Sequence, residues 1–287
     1  MIVTRIAPSP TGLFHLGTAR TAYFNWLMAR ANQGKFIVRI DDTDLDRNNE
    51  EFVKLIYDSL EWLGLDYDLT FAQSERLGRY CEVAKLLVDH QKATIKDDGS
   101  IDFIYDGEFP ATWNDFVIGS VKASLQDQTL SSKFTIMRHN GMPTYNFSTV
   151  VDDMDFGITH VIRGSDHISN TLRQVFLRSS LNEVLGTHSD YQFGHIGLIH
   201  KDGKKLSKRD GAADLLTYKR EGYEAEDILA YILKLGWNVP DANIDRKHPI
   251  IGPKLALTMF NNGKMRGAAV NFDQNKLEWV RRKRKYD

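Results

Sequence analysis

The spacing of apolar residues along the first ninety positions predicts an alternation of short strands and amphipathic helices. Ile2 to Ile6 reads as a strand, and Pro8, Ser9, Pro10, Thr11 and Gly12 break regular structure before a helix begins near His15. That helix carries Ala19, Ala22, Tyr23, Trp26, Leu27 and Arg30 and is predicted to end at Gln33-Gly34, where a C-terminal glycine is expected. A second strand, Phe36 to Ile40, runs into Asp41-Asp42-Thr43-Asp44. Asn48 or Asn49 can then cap a helix with the stripe Phe52, Leu55, Ile56, Leu60 and Leu63. Strand, helix, strand, helix in this order implies a right-handed parallel α/β unit.

From about Gln91 to Leu130 the period is lost. Asp-Gly turns alternate with β-like stretches such as Ile101 to Tyr105 and Phe116 to Val121, which predicts an inserted subdomain splitting the sheet. Regular α/β signals return with Lys133 to Arg138, Thr144 to Val151, Val161-Ile162, a helix from Asn170 to about Leu185 and the stretch Tyr191 to His200. Beyond Lys208 the pattern is helical, with Ile228, Leu229, Ile232, Leu233 and Leu235 on one face and further helices near Pro253 to Phe260 and Asp273 to Arg284. The expected division is an α/β catalytic domain over 1–90 and 131–210, a reduced insertion over 91–130 and a helical domain over 211–287.

Composition narrows this picture. The 287 residues, 42% hydrophobic and 26% charged, suffice for a Rossmann-sized core plus a smaller unit. No apolar run reaches the roughly 18 residues of a membrane span, and no charged-then-apolar leader opens the chain, so a soluble cytoplasmic protein with no membrane partner is expected. A single cysteine, Cys81, excludes an internal disulfide and a thiolate-rich zinc site, so no structural zinc is expected. The net charge of -1 gives no global pull on nucleic acid, although Arg281, Arg282, Lys283, Arg284 and Lys285 stand in a row. That row reads equally as a solvated helix end or a phosphate-contacting patch.

Two constellations carry candidate chemistry. The loop from the first strand into the first helix places backbone N–H groups and His15 where phosphates are well received, and Gly17 allows close backbone approach. A histidine near a helix start also serves as an ordinary cap. Further on, Lys204-Lys205-Leu206-Ser207-Lys208-Arg209, framed by Gly203 and Gly211, forms a loop whose ammonium groups can close over a triphosphate. Its bland alternative is a solvated basic turn.

Together these segments resemble a known family. Thr4-Arg5-Ile6-Ala7-Pro8-Ser9-Pro10-Thr11-Gly12 with His15-Leu16-Gly17-Thr18 is similar to the first signature of class I aminoacyl-tRNA synthetases of the glutamyl type, and Lys205-Leu206-Ser207-Lys208-Arg209 to the second. Between them, Val38 to Asp44, Gln73 to Arg76, Pro143 to Phe147, and Val150 to Asp153 with Thr159 to Gly164 resemble family segments in the right order. The likeness covers residues 1 to about 90 and 133 to 240, and reaches Phe272 to Trp279 weakly.

The resemblance implies an ATP-dependent ligase with a Rossmann-like parallel sheet and a stem-contact-like helical domain. ATP and Mg2+ are the implied cofactors, and glutamate and a tRNA acceptor arm or another RNA the implied partners, with a separate helper protein as an option. Glutamate would be activated as glutamyl-adenylate and passed to an acceptor. His15, Lys205 and Lys208 are the implied catalytic residues, and Pro8, Gly17, Thr18 and Ser207 complete the implied ATP site. Arg5 and Arg163 would clamp the substrate side chain with the Tyr145 hydroxyl, while Ala7, Ser9 and Asp41 would hold the amino-acid head group. No metal-ligating residue is assigned. Arg163 favours glutamate over glutamine, whose neutral amide cannot pair with a buried cation.

Departures from the family keep the acceptor open. Asp41 stands where glutamate is usual, Thr149 where some members have asparagine, and the insertion is short and without cysteines. The chain also stops where an anticodon-binding domain would begin, so anticodon reading is expected to be absent. The acceptor is then a tRNA, or for a repurposed ligase a modified tRNA base, another nucleic acid, a carrier protein or a small amine. A non-catalytic binding module is the reading of a different class.

Overall fold

In the computed structural model, which describes residues 1–44, 47–104, 112–122, 133–201, 203–205, 214–238 and 250–286, the strand β1 (Val3–Ile6) is buried along its whole length. The helix α1 (Leu16–Ala31) returns the chain to β2 (Lys35–Ile40), and α2 (Glu50–Trp62) leads to β3 (Leu69–Ala72). The three strands pair in parallel in the order β1-β2-β3, with Arg5 opposite Ile37. Asn49 caps α2, its side-chain oxygen accepting from the Glu51 N–H at 2.8 Å. The end of α1 differs from the sequence expectation. Gln33, not glycine, takes the left-handed conformation (φ 52°), and Gly34 is needed because a Cβ there would lie 2.1 Å from the Ile2 carbonyl oxygen.

After α3 (Leu77–Asp89), β4 (Ala93–Ile95) and β5 (Ile101–Ile104) begin an antiparallel sheet that β8 (Lys133–Met137) completes in the order β4-β5-β8. Between them, β6 (Thr112–Asp115) and β7 (Gly119–Lys122) form a hairpin with a different allegiance: β6 pairs in parallel with a strand of the main sheet at Asp115–Phe193. The stretch 91–130 is thus shared between two sheets. Phe116 to Ile118, read from sequence as part of a strand, is the hairpin turn. Asp115 Oδ1 accepts from the Val117 and Ile118 N–H groups at 2.9 and 3.0 Å, and Gly119 sits at φ 81°.

The second half of the main sheet follows, with α4 (Tyr145–Asp155), β9 (His160–Gly164), α5 (Ile168–Leu185) and β10 (Gln192–Ile196). β9 and β10 pair in parallel, Arg163 opposite His195. β9 lies beside β1, where Thr159 N–H donates to the Val3 carbonyl at 2.9 Å and the Val3 N–H to Thr159 Oγ1 at 2.9 Å. From this junction the chain winds to β2 and β3 on one side and to β10 and β6 on the other. It is the switch point of a Rossmann-like α/β sheet, at whose carboxyl-end crevice ligands bind.

Both faces of the sheet are covered, which explains the near-continuous apolar strands. Ile6, Phe36, Val38, Ile40, Ile162 and Ile196 join α1 and α2 in the largest core, while Val3, Ile37, Val161 and Phe193 form a core on the other face. Strand alternation puts Arg5, Arg39, Arg163 and His195 on that second face, at the carboxyl ends of four neighbouring strands.

Short strands β11 (Ile199–Lys201) and β12 (Lys204–Lys205), helices α6 (Leu215–Arg220) and α7 (Ala225–Gly236), β13 (Trp237–Asn238), α8 (Pro253–Met259), β14 (Lys264–Met265), β15 (Val270–Asn271) and α9 (Gln274–Tyr286) complete the described chain. α9 buries Leu277 and Val280, and two members of its basic row are structural. Arg284 donates to the fully buried Asp227 at 2.6 Å and to Glu226 at 2.7 Å, and also pairs with Glu224. Arg281 donates to the Gly222 carbonyl at 2.7 Å and lies 4.4 Å from the Tyr223 ring centre. Among the described residues no helix is long and apolar enough to cross a membrane.

Candidate active site

A pocket of about 470 Å³ opens at the switch point, between the loop that follows β1 and the start of β9's exit loop. Arg5, Ala7, Pro8, Ser9, His15, Gly17, Thr18, Asp41, Tyr145 and Arg163 all line it. Ten residues singled out from sequence, up to 158 positions apart, therefore share one cavity. Ser207 and Lys208 lie outside the described residues, and Lys205 is described by its backbone, at the end of β12.

The loop after β1 is fixed by its own backbone. Pro8 O accepts from the Asp41 N–H at 3.0 Å and Pro10 O from the Asn49 N–H at 3.2 Å, which ties the loops leaving β1 and β2 together. Asp42 continues the arrangement by accepting from the Ser74 N–H at 2.8 Å and its hydroxyl at 2.6 Å. At the start of α1, His15 Nδ1 accepts from the Gly17 and Thr18 N–H groups at 3.1 and 3.3 Å. The histidine is therefore a helix cap, and a neutral ring accepting at Nδ1 carries its proton on Nε2, as a donor. The first-turn amides expected to receive phosphate are given to this ring. Gly17 has a steric reason as well, since a Cβ there would press on the ring at 3.0 Å.

Arg5 and Arg163 are buried, 4% and 5% exposed, yet are held differently. Arg5 pairs with Asp153 of α4 through Nε at 3.1 Å and Nη2 at 3.2 Å. Among the described residues Arg163 donates only to neutral side chains: Nε to His195 Nε2 at 3.1 Å, Nη1 to Gln174 Oε1 at 2.8 Å and Nη2 to Thr171 Oγ1 at 2.7 Å. Phe193 lies beneath it, ring centre 5.0 Å from Cζ. Burial pulls the Arg163 pKa below its ordinary value. A guanidinium nevertheless keeps its proton. Three of its five N–H groups are occupied, leaving one on each terminal nitrogen.

Several groups at this site were not singled out from sequence. Arg39, 1% exposed, grips Asp41 through Nε at 2.6 Å and Nη2 at 3.2 Å, reaches Asp153 through Nη1 at 2.9 Å and donates to Thr149 Oγ1 at 3.2 Å. Thr149, given no role from sequence, thus positions Arg39. Asp152 accepts from Gln73 at 2.7 Å, Arg76 at 2.8 Å and the Tyr80 hydroxyl at 2.9 Å. Tyr145 meets His167 Nδ1 at 3.2 Å. Burial, then the nearby Arg163 charge, push the His167 pKa down to about 4, so its ring is neutral near pH 7. His195, fully buried, faces Asp115 Oδ2 at 2.5 Å through Nδ1. Burial raises the Asp115 carboxyl, but hydrogen bonds from His195 and the Ile118 and Val117 N–H groups outweigh it and hold the pKa below the usual value. Burial also holds His195 below its ordinary range, against the pull of Asp115.

Chemically, the pocket offers two buried guanidinium groups at one end, a carboxylate fixed by a third, and a histidine N–H donor at a helix start. Such a site can bind a zwitterion with an extra carboxylate beside an anionic partner.

Comparison with known proteins gives the family. Residues 1–100 and 96–279 match the family of class I tRNA synthetases (E and Q), catalytic domain. Glutamate–tRNA ligase 2 of Neorickettsia sennetsu is 40% identical over 277 residues, covering 96% of this chain and 64% of the relative. The glutamate–tRNA ligase of Synechococcus sp. is 37% identical, with the same coverage of 96% and 64%. The chain thus spans slightly less than two thirds of the length of these relatives. A crystal structure of a glutamate tRNA ligase from Elizabethkingia meningosepticum, in complex with its amino acid, superposes with a TM-score of 0.82 at 26% identity over 97% of this chain and 68% of the other. With the fold and most of its length accounted for in this way, the chain belongs to the class I tRNA synthetases of the glutamate and glutamine group, through their catalytic domain.

Proposed function

We propose that the chain activates glutamate with ATP as glutamyl-adenylate and transfers the glutamyl group to the terminal ribose hydroxyl of a tRNA. The observation that carries this reading is Arg163, a buried cation whose hydrogen-bond partners are all neutral and whose remaining N–H groups are one on each terminal nitrogen. A substrate side-chain carboxylate supplies the missing counter-ion and accepts both N–H groups at once. Arg5 lines the same pocket with its own charge already balanced by Asp153, so its contribution is a hydrogen bond more than a new ion pair. Asp41 receives the substrate ammonium.

In the activation step an α-carboxylate oxygen forms a bond to the α-phosphorus, and the bond to pyrophosphate breaks, its electrons leaving with pyrophosphate. His15 Nε2–H stabilises charge on the phosphate oxygens, and Lys205 and Lys208 of the second signature add positive charge to it. Magnesium enters with the nucleotide, whose phosphates hold it, and would neutralise charge on the leaving pyrophosphate. The test is ATP–pyrophosphate exchange with each amino acid, with and without total tRNA. Exchange with glutamate is expected. Its absence in both conditions, or exchange with another amino acid instead, overturns the reading.

The role of Asp41 predicts a pH dependence. Burial lifts its carboxyl from 3.8 to about 6, against the Arg39 charge. Protonation removes the negative charge that the ammonium needs, so the KM for glutamate should rise as pH falls through about 6, by up to about tenfold per unit below it. Stability moves the other way. A folded-state value above the unfolded one means the folded protein binds the proton more tightly, so this group makes stability fall as pH rises from 3.8 to about 6. Initial-rate exchange between pH 5 and 8, with glutamate varied at saturating ATP, checks the first effect. A flat KM removes Asp41 from the ammonium site.

A further inference from the structure

Arg163 can bind a substrate carboxylate only if its guanidinium is aimed, and the group that aims it leads away from the pocket. Its Nε–H is received by His195 Nε2 at 3.1 Å, and the opposite ring nitrogen, Nδ1, meets Asp115 Oδ2 at 2.5 Å. Asp115 is 3% exposed and His195 fully buried, so neither exchanges these partners for water. Asp115 is itself locked, Oδ1 receiving the Val117 and Ile118 N–H groups and Oδ2 the His195 N–H at 3.1 Å. It sits at the end of β6, so the hairpin added to the sheet edge delivers a carboxylate to the back of the site.

We propose that Asp115 and His195 act as a positioning pair for Arg163: the carboxylate holds the imidazole proton on Nδ1, and the bare Nε2 then fixes the guanidinium for the substrate. This rests on the glutamate reading given above. The arrangement explains why a ring stands between the two charges. A carboxylate in direct contact would neutralise the Arg163 charge and weaken its attraction for the substrate carboxylate. With the imidazole interposed, the negative charge is one ring further away. The ring's other nitrogen gains basicity from the carboxylate, as it does when histidine is oriented in this way beside a metal. Thr171 fits the same polarity: its oxygen accepts from Arg163 Nη2 at 2.7 Å and its hydroxyl donates to the His167 carbonyl at 3.4 Å, so the lone pair of His195 Nε2, 3.1 Å away, is left to the Arg163 Nε–H.

Asp115→Asn tests the pair through its tautomer. The carboxamide keeps one oxygen for the Val117 and Ile118 N–H groups and turns its NH2 to Nδ1, driving the ring proton to Nε2, where it confronts the Arg163 N–H. The KM for glutamate in pyrophosphate exchange should rise about tenfold or more, the weight of a hydrogen bond to a charged group, while the KM for ATP stays near that of the unaltered chain. His195→Leu should behave similarly. His195→Gln can place its amide oxygen where Nε2 was, and should restore most of the lost glutamate affinity. Thermal unfolding of each variant separates misfolding from a change in the site. Should both Asp115→Asn and His195→Leu fail to fold, the tautomer of the unaltered chain is read directly from the imidazole 15N shifts, and a proton on Nε2 overturns the proposal. An unaltered chain inactive with glutamate overturns the underlying reading. An active one with an unchanged glutamate KM in Asp115→Asn, or a His195→Gln no better than His195→Leu, overturns the positioning pair alone.

Discussion

Replacing Arg163 by alanine is expected to lower kcat/KM for glutamate in pyrophosphate exchange by about three hundredfold, chiefly through KM. The size follows from the surroundings. Arg163 is 5% exposed and hydrogen-bonded to neutral side chains, so its charge is fully available to a substrate carboxylate. Removing one partner of a buried, hydrogen-bonded charge pair costs about 2–5 kcal/mol, and the middle of that range is about two and a half powers of ten. Water admitted to the vacated volume recovers part of the loss, which keeps the effect below the top of the range. Arg163→Lys should fall only slightly less far. An ammonium on a single-file stem cannot donate to His195, Gln174 and Thr171 and still offer a two-pronged face to the substrate. Activity with glutamine separates charge from shape: preference for glutamate over glutamine should shrink in Arg163→Ala because the buried cation that rejects the amide is gone. Preserved discrimination would place specificity elsewhere in the pocket.

The strands and the pocket were legible in the sequence because they depend on local periodicity and contiguous signatures. Ile2 to Ile6 and Phe36 to Ile40 are each within a residue of the observed strands, and Asn49 is the cap. What the sequence concealed is long-range pairing. Arg39 lies inside a segment used to recognise the family, but its grip on Asp41 needs the alternation of β2, and its contact with Asp153 bridges 114 positions. The shared face of Arg5, Arg39 and Arg163 was available in principle from strand alternation. Asp115 could not be found in that way. It ends a strand in the region where periodicity is lost, and its partner His195 lies 80 residues on. Gly34 shows the same limit at smaller scale: a glycine after a helix suggested a left-handed cap, whereas the constraint is the Ile2 carbonyl across the sheet edge.

Asp153→Ala is expected to lower the free energy of unfolding by about 3–5 kcal/mol, the cost of breaking a buried ion pair from one side. Asp153 is 1% exposed and serves two cations, Arg5 by two hydrogen bonds and Arg39 by one. Arg39 keeps Asp41 and the more distant Asp152 at 3.7 Å, so its charge stays balanced. Arg5 has Asp153 as its ion-pair partner and would be left as a buried cation facing the pocket. That uncompensated charge outweighs the lost packing, because a small apolar cavity at the same place would cost less. Urea unfolding gives the change directly, and a loss under about 1 kcal/mol, typical of an exposed pair, would show that Arg5 escapes to water. The double substitution Arg5→Met with Asp153→Leu separates the two duties of the pair. Apolar groups of similar volume can replace a buried ion pair at little cost, so the double variant should regain much of the stability lost in Asp153→Ala while using glutamate poorly. A double variant that activates glutamate normally would confine Arg5 and Asp153 to holding β1 against α4, and leave Arg163 alone to read the substrate side chain.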